Sequence, residues 1–275
     1  MKDITDIKKK LFKQIAFQNC KVTSLSQCKN KDNCTCLVAA EMAAYIKVLI
    51  PSSYANLTIK DFNGMSLNKT EQLIGIDVAL KVKKQLIDIC WGGLTINDIR
   101  EKDIAELNKF STIDNIYELG KNIAIYASSY TFVDGIVTKK KSGKTLCASI
   151  IMKEAIKRRI AATKNQSHTY EWINFDSLIY HLANKDSVES SYLKTANWLV
   201  IDNIKDVLDM STKMKSYYAH LLDVFFYERI ENNLPTIMVF NFDIDESASI
   251  ANDSFGSALS QILNRTNTVR IKLSD

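Results

Sequence analysis

Short runs dominated by apolar residues recur from residue 120 onward, and segments of helical periodicity separate them. A strand covered on both faces has no polar side to present, so it reads as a near-continuous apolar run and not as an alternation. Ile123–Ala127 (IAIYA), Tyr170–Ile173 (YEWI), Asn197–Ile201 (NWLVI) and Thr236–Phe240 (TIMVF) are candidates, with Thr268–Leu273 (TVRIKL) as a fifth. Between them, 143–162 and Met214–Glu231 have helical spacing. The first of these carries most of its basic residues towards its C-terminal end, where they suit the helix dipole. Strands alternating with helices predict an α/β fold, a parallel sheet with helices on both faces.

Upstream the texture is helical. Ile4–Ile15 is a mixed amphipathic stretch, and Leu37–Ile50 is strongly apolar and stops where Pro51 forbids continuation. A further helix is expected over Thr70–Cys90, with Thr70 as N-cap and Gly92-Gly93 as its end. The change of texture divides the chain into a helical N-terminal region, 1–115, and an α/β domain, 116–275, a division its 275 residues accommodate.

Four of the six cysteines, Cys20, Cys28, Cys34 and Cys36, cluster between the first two helices. In a reducing compartment such a cluster suggests Zn²⁺, yet the paired Cys-x-x-Cys knuckles of a zinc site are missing, and free thiols in a polar loop fit as well. Cys90 and Cys147 sit in apolar surroundings and read as packing residues. The net charge of +5 permits contact with nucleic acid without demanding it. No apolar run is long enough to span a membrane, and Met1–Gln14 lacks the apolar core of a secretory signal, so the cytoplasm is the expected location.

The chemistry concentrates at Ser142-Gly143-Lys144-Thr145, between a strand and a helix. In a phosphate-binding loop the amides at that helix N-terminus cradle phosphate, the lysine neutralises the β/γ oxygens and the threonine hydroxyl holds Mg²⁺. The first glycine of the full Gly-x-x-x-x-Gly-Lys-Thr pattern is replaced by Thr138. Two alignments follow. Thr131–Val137 could be the strand that feeds a loop of ordinary length. The alternative takes Ile123–Ala127 as the strand and 128–142 as a loop enlarged by about ten residues. The second is favoured, because GKNIAIYA reads as a buried strand and Asp134-Gly135 as a turn within an insertion.

Trp198–Ile201 then ends in Asp202, four apolar residues followed by an acid, as in a strand whose carboxylate orders Mg²⁺ and water. The next position holds Asn203 where a second acid would polarise the attacking water, so slow hydrolysis is expected. For these groups to converge on one Mg-nucleotide, the strand of Asp202 is expected to lie beside the strand that feeds the Gly-Lys-Thr turn. Asn241, at the end of Thr236–Phe240, is placed to face the ligand crevice and sense a terminal phosphate.

Taken in order, these segments resemble the DnaC-like helicase loaders of bacteria and phages, which belong to the AAA+ class of P-loop ATPases, and their relatives the IstB-type transposition ATPases. The resemblance begins at Ile50-Pro51-Ser52-Ser53-Tyr54 with Thr58-Ile59-Lys60-Asp61-Phe62. It continues through GKNIAIYA, SGKTLCASI, YEWINFDSLI, NWLVIDNI, FFYERIENNLPTIMVFN and FGSALSQILNRT. It implies ATP and Mg²⁺ as ligands, with Ser142, Gly143 and Lys144 on phosphate, Thr145 and Asp202 on the metal, and Asn241 as sensor. It further implies a homo-oligomer on single-stranded DNA that delivers a replicative helicase held by the N-terminal region. The family's arginine finger falls where this chain reads Ser260-Gln261-Ile262, so Arg265, one helical turn on, is the nearest candidate; Arg229 matches an arginine of structural or interface role. The departures at Thr138, Asn203 and Gln261 also fit a nucleotide-binding scaffold that has lost turnover.

The remaining polar residues have plainer readings. Lys139–Lys141, Lys153, Lys157, Arg158 and Arg159 fit DNA phosphates or a solvated helix face. His168, His181 and His220 have no metal spacing, the Tyr217-Tyr218 and Phe225-Phe226-Tyr227 clusters read as packing, and Asp243, Asp245 and Glu246 read as a solvated acidic loop.

Overall fold

The computed structural model describes residues 35–55, 117, 120–127, 130–133, 136–139, 143–162, 169–184, 188–205, 211–244, 254–265 and 268–273. The expected helices at Ile4–Ile15 and Thr70–Cys90 lie outside them, as do Cys20, Cys28, Cys34 and Ser142. In chain order the elements are α1 (Thr35–Leu49), the single turn α2 (Ser52–Ala55), β1 (Ile123–Tyr126), β2 (Tyr130–Val133), β3 (Ile136–Lys139) and α3 (Lys144–Ala162). Then come β4 (Tyr170–Asn174), α4 (Phe175–Ala183), α5 (Val188–Thr195), β5 (Trp198–Ile204), α6 (Thr212–Glu231), β6 (Thr236–Phe240), α7 (Ser254–Arg265) and β7 (Val269–Lys272).

Five strands form one sheet in the order β4-β5-β6-β1-β7, every pairing parallel. Alternate residues feed two separate cores, which explains why the strands read as apolar throughout. Ile123, Ile125, Trp198, Val200, Ile237 and Val239 face α1 and α3. Ala124, Tyr126, Leu199, Ile201, Met238 and Phe240 face α4, α6 and α7. Helix α3 is itself buried almost all round over its first three turns, Leu146 through Ile156, because α1 packs on the side away from the sheet.

Buried polar groups pin β1 in the sheet. The Asn122 side-chain oxygen accepts from the Thr236 N–H at 2.8 Å, and the Asn122 carbonyl accepts from the Val269 N–H at 2.9 Å, so one residue ties the starts of three strands. Gly120 has φ 59°, and a Cβ there would stand 2.5 Å from the Cα of Asn233 in the turn before β6. Only glycine fits this approach.

The alignment that feeds the Gly-Lys-Thr turn from Ile123–Ala127 matches the structure. β1 lies inside the sheet, whereas β2 and β3, among the described residues, pair only with each other, antiparallel, with Val133 opposite Ile136. One expectation fails: the Asp202 strand is not beside β1, because β6 lies between β5 and β1. The chain leaves β1, crosses to the far edge at β4, and returns stepwise through β5 and β6 before passing over β1 to β7. Ligand crevices in such sheets form where the direction of crossover reverses. Here that place lies between β1 and β6.

Candidate functional site

Gly143 precedes α3, which opens with Lys144 and Thr145, and Asn241 directly follows β6. Gly143 has φ 75°, in the left-handed region that glycine enters without strain. Its carbonyl accepts from the Cys147 N–H at 2.9 Å, which closes the first turn of α3. A helix N-terminus presents unpaired N–H groups and a partial positive charge, the general requirement for binding phosphate.

Lys144 is buried, and its ammonium donates to the Ala127 carbonyl, at the end of β1, at 3.4 Å. The Thr145 hydroxyl donates to Asp202 Oδ1 at 3.4 Å. Strand adjacency is not needed for this contact. On its way to β4, α3 passes over β6 and β5 on the face where Trp198 and Val200 point, and Asp202 follows them in alternation.

Burial raises the Asp202 pKa from its ordinary 3.8. Hydrogen bonds from the Asn203 N–H and the Thr145 hydroxyl, together with the Lys144 charge, oppose the rise. Burial thus works against the charged form of this acid, and a cation would restore its preference for it. A hydroxyl and a carboxylate on facing elements are hard oxygen donors of the kind Mg²⁺ takes, with water and phosphate completing the shell. The residues present therefore fit a magnesium-bound phosphate. Among the described residues no cluster of three or more His, Cys, Asp or Glu could hold a metal by itself.

Asn203 has φ 70°, and its side-chain oxygen accepts from the Asn241 side-chain amide. The backbone N–H of Asn241 donates to the Ile204 carbonyl at 2.8 Å. Asn203 and Asn241 thus meet at the same sheet edge as Asp202. Arg265 is the last residue of α7, and Cys36 lies in the first turn of α1; both side chains fall outside the described set.

Two plainer readings need correction. Lys153 is buried, not a phosphate-facing surface cation; its ammonium donates to the Tyr54 carbonyl at 2.7 Å and clamps α2 onto α3. Asp243 is also buried, and its carboxylate meets Lys272 of β7 at 2.9 Å, so the loop after Asn241 is tied across the end of β1 and is not solvated at that point. Neither contact had a local sequence signal, because each joins residues that are neighbours only in the folded sheet. Arg229 is fully buried within one chain. In the aromatic clusters Phe225 and Phe226 are core, whereas Tyr217 and Tyr227 are exposed.

No family model and no curated protein matches the chain. Solved structures similar to it include DnaI, at 15% identity over 70% of this chain and 91% of that one, with a TM-score of 0.41. The DnaC helicase loader matches at 17% identity over 69% of this chain and 99% of that one, with a TM-score of 0.39. AMPPCP-bound DnaA from Aquifex aeolicus matches at 16% identity over 67% of this chain and 50% of that one, also with a TM-score of 0.39. Among the described residues no helix is long and apolar enough to cross a membrane.

Proposed function

We propose that the chain is a nucleotide-dependent helicase loader, which binds ATP with Mg²⁺ at the α3 N-terminus and uses the bound state to hold an assembly on single-stranded DNA. The observation that carries the nucleotide part is the meeting of Thr145 with Asp202 beside the buried ammonium of Lys144. Three residues from two separated segments converge where the crossover direction reverses, with donor types that suit phosphate and a hard cation. The loader part is supported by the order of segments from Pro51 to Arg265, which resembles the DnaC-like loaders. The N-terminal region, 1–115, is assigned to the replicative helicase, and residues 116–275 to nucleotide, DNA and self-assembly.

In this reading the α3 N–H groups and Lys144 hold the β- and γ-phosphates, and Thr145 with Asp202 hold the metal. Bound Mg²⁺ would neutralise charge that develops on the phosphates. Asn203 and Asn241 line the place where a terminal phosphate and its attacking water would lie.

A second reading, a scaffold that binds nucleotide with little turnover, is favoured by one feature. An amide at position 203 can orient a water but cannot take its proton. Asn203→Glu then raises the turnover rate.

The test is ATP hydrolysis and complex formation by the full chain with its cognate replicative helicase and single-stranded DNA. The loader reading expects a nucleotide-dependent complex that Lys144→Ala abolishes. Absence of ATP binding, of self-assembly and of helicase contact would together dismiss it.

A further inference from the structure

We propose that the outer face of α6 is a self-association surface, through which two copies of the chain pair about a two-fold axis with their α6 helices antiparallel. The contact is separate from the nucleotide site and does not depend on the nucleotide reading.

Helix α6 is apolar on two opposite sides. Ala219, Leu221, Leu222, Phe225 and Phe226 are buried beneath it. On its outer side Tyr217, Val224 and Tyr227 are 47%, 41% and 57% exposed. A helix that is apolar all round is ordinarily buried all round, so this one has a face without its cover. Six of the seven large apolar residues exposed among the described residues lie on α4, α5 and α6, which pack on one another. The uncovered surface is therefore concentrated in one layer of the fold, as at an interaction site.

The spacing along α6 identifies the occupant. Lys213, Tyr217, His220, Val224, Tyr227 and Glu231 are all exposed and follow one another at steps of four, three, four, three and four. From Tyr217 to Glu231 no other residue of the helix is exposed. These steps are the a/d spacing of a coiled-coil seam, the pattern that packs one helix along another. They read the same in both directions, with a cation at one end and an anion at the other. An antiparallel pair with its axis at the level of Leu222 sets Lys213 against the partner's Glu231, Tyr217 against the partner's Tyr227 and His220 against the partner's Val224. Two-fold symmetry makes each pairing twice. A parallel pair would set Lys213 against the partner's Lys213 and Glu231 against the partner's Glu231, with like charges at both ends. Charge thus favours a second copy in the antiparallel sense.

The surface beside the seam fits a facing helix. A cavity of about 180 Å³ opens between α5 and α6 against His220 and Val224, at the centre of the seam. It is smaller than the ~300–1,000 Å³ of a small-molecule site and suits a single side chain from the facing helix, as a hole receives a knob.

The experiment follows the mass of the full chain by sedimentation over a range of concentrations, without nucleotide or DNA. The wild type is expected to dimerise. Val224→Asp sets an unpaired charge beside the axis and is expected to weaken the dimer at least about a hundredfold. Lys213→Glu and Glu231→Lys each place like charges together at both ends, and each is expected to weaken it at least about tenfold. An equimolar mixture of these two variants restores opposite charges at both ends and is expected to dimerise as the wild type does. All three positions are exposed, and circular dichroism verifies that each variant is folded. A monomeric wild type overturns the proposal. So does a dimer that Val224→Asp leaves intact, or a mixture that associates no more tightly than either reversed variant alone. Lys144→Ala is expected to dimerise as the wild type does, and loss of the dimer in that variant would refute its independence from the nucleotide site. A chain that dimerises through this seam and binds no nucleotide refutes the nucleotide reading alone.

Discussion

Replacing Arg229 by lysine keeps a positive charge and nearly the same length, yet the structure predicts a severe loss of stability. The guanidinium is fully buried and contacts acceptors from three nitrogens. Nε donates to Thr236 Oγ1 at 2.8 Å, one terminal nitrogen to the Leu193 and Ala196 carbonyls at 2.9 Å each, and the other to the Pro235 carbonyl at 2.8 Å. These acceptors lie at the end of α5, ahead of β5 and at the start of β6, so the planar fork binds the entries of two central strands. Burial lowers its pKa to about 9, which leaves it charged at neutral pH. With the Lys194 carbonyl at 3.4 Å the acceptors number five, and a lysine ammonium, a single point with three donors, does not reach that spread. Leaving two of them unpaired at ~1–3 kcal/mol each gives a loss of about 3 kcal/mol. For a chain of this size that lowers Tm by roughly 6–12 °C. Thermal unfolding followed by circular dichroism measures it. A guanidinium buried within its own chain is out of reach of a neighbouring subunit, so nucleotide affinity per folded molecule stays at the wild-type value. A Tm within about 1 °C of wild type together with lost self-assembly would refute it and make Arg229 an interface residue.

Other substitutions probe the frame and the site. Asp202→Asn removes an acid whose charged form burial disfavours and should raise the stability of the nucleotide-free protein by ~1 kcal/mol at neutral pH. The sign follows from the raised pKa. The folded state holds the Asp202 proton more tightly than the unfolded chain, so this contribution to stability is full below pH 3.8 and is lost as pH rises through the elevated value. The advantage of the Asn variant therefore shrinks on acidification, and unfolding curves that differ equally at all pH would contradict this. Gly120→Ala pushes a methyl group into the Asn233 backbone and adds a left-handed alanine; the expected loss is ~2–4 kcal/mol, read in the same melts. Lys153→Met frees the Tyr54 carbonyl and should speed hydrogen exchange across residues 50–55 while β1 and β5 remain protected. Unchanged exchange there would show that the clamp holds nothing.

Much of the frame was legible because a fully covered parallel strand leaves little room for polar residues. Ile123–Ala127 and Thr236–Phe240 announce themselves by composition alone, and the same apolar run decides between the two phosphate-loop alignments. Helices α4 and α5 lie outside the helical segments read from the sequence, although α4 has a signal. Asn174 caps it through the Ser177 N–H, Asp176 lies in its first turn, and Leu178, Ile179 and Leu182 form one buried face. Strand order was not legible. Nothing local tells that β6 inserts between β1 and β5, and the expected neighbourhood of Asp202 failed for that reason even though its side chain reaches Thr145. The burial of Lys153 and Asp243 was equally hidden. A lone charge reads as solvated unless its partner is known, and those partners lie on α2 and β7.

The central claim is that Lys144, Thr145 and Asp202 serve one magnesium-bound nucleotide. The most direct measurement is the increment that Mg²⁺ adds to ATP affinity, by calorimetric titration with and without the cation, in the wild type, Thr145→Val and Asp202→Asn. The account predicts tighter binding with Mg²⁺ in the wild type and an increment largely lost in both variants. An equal increment in all three proteins would contradict it.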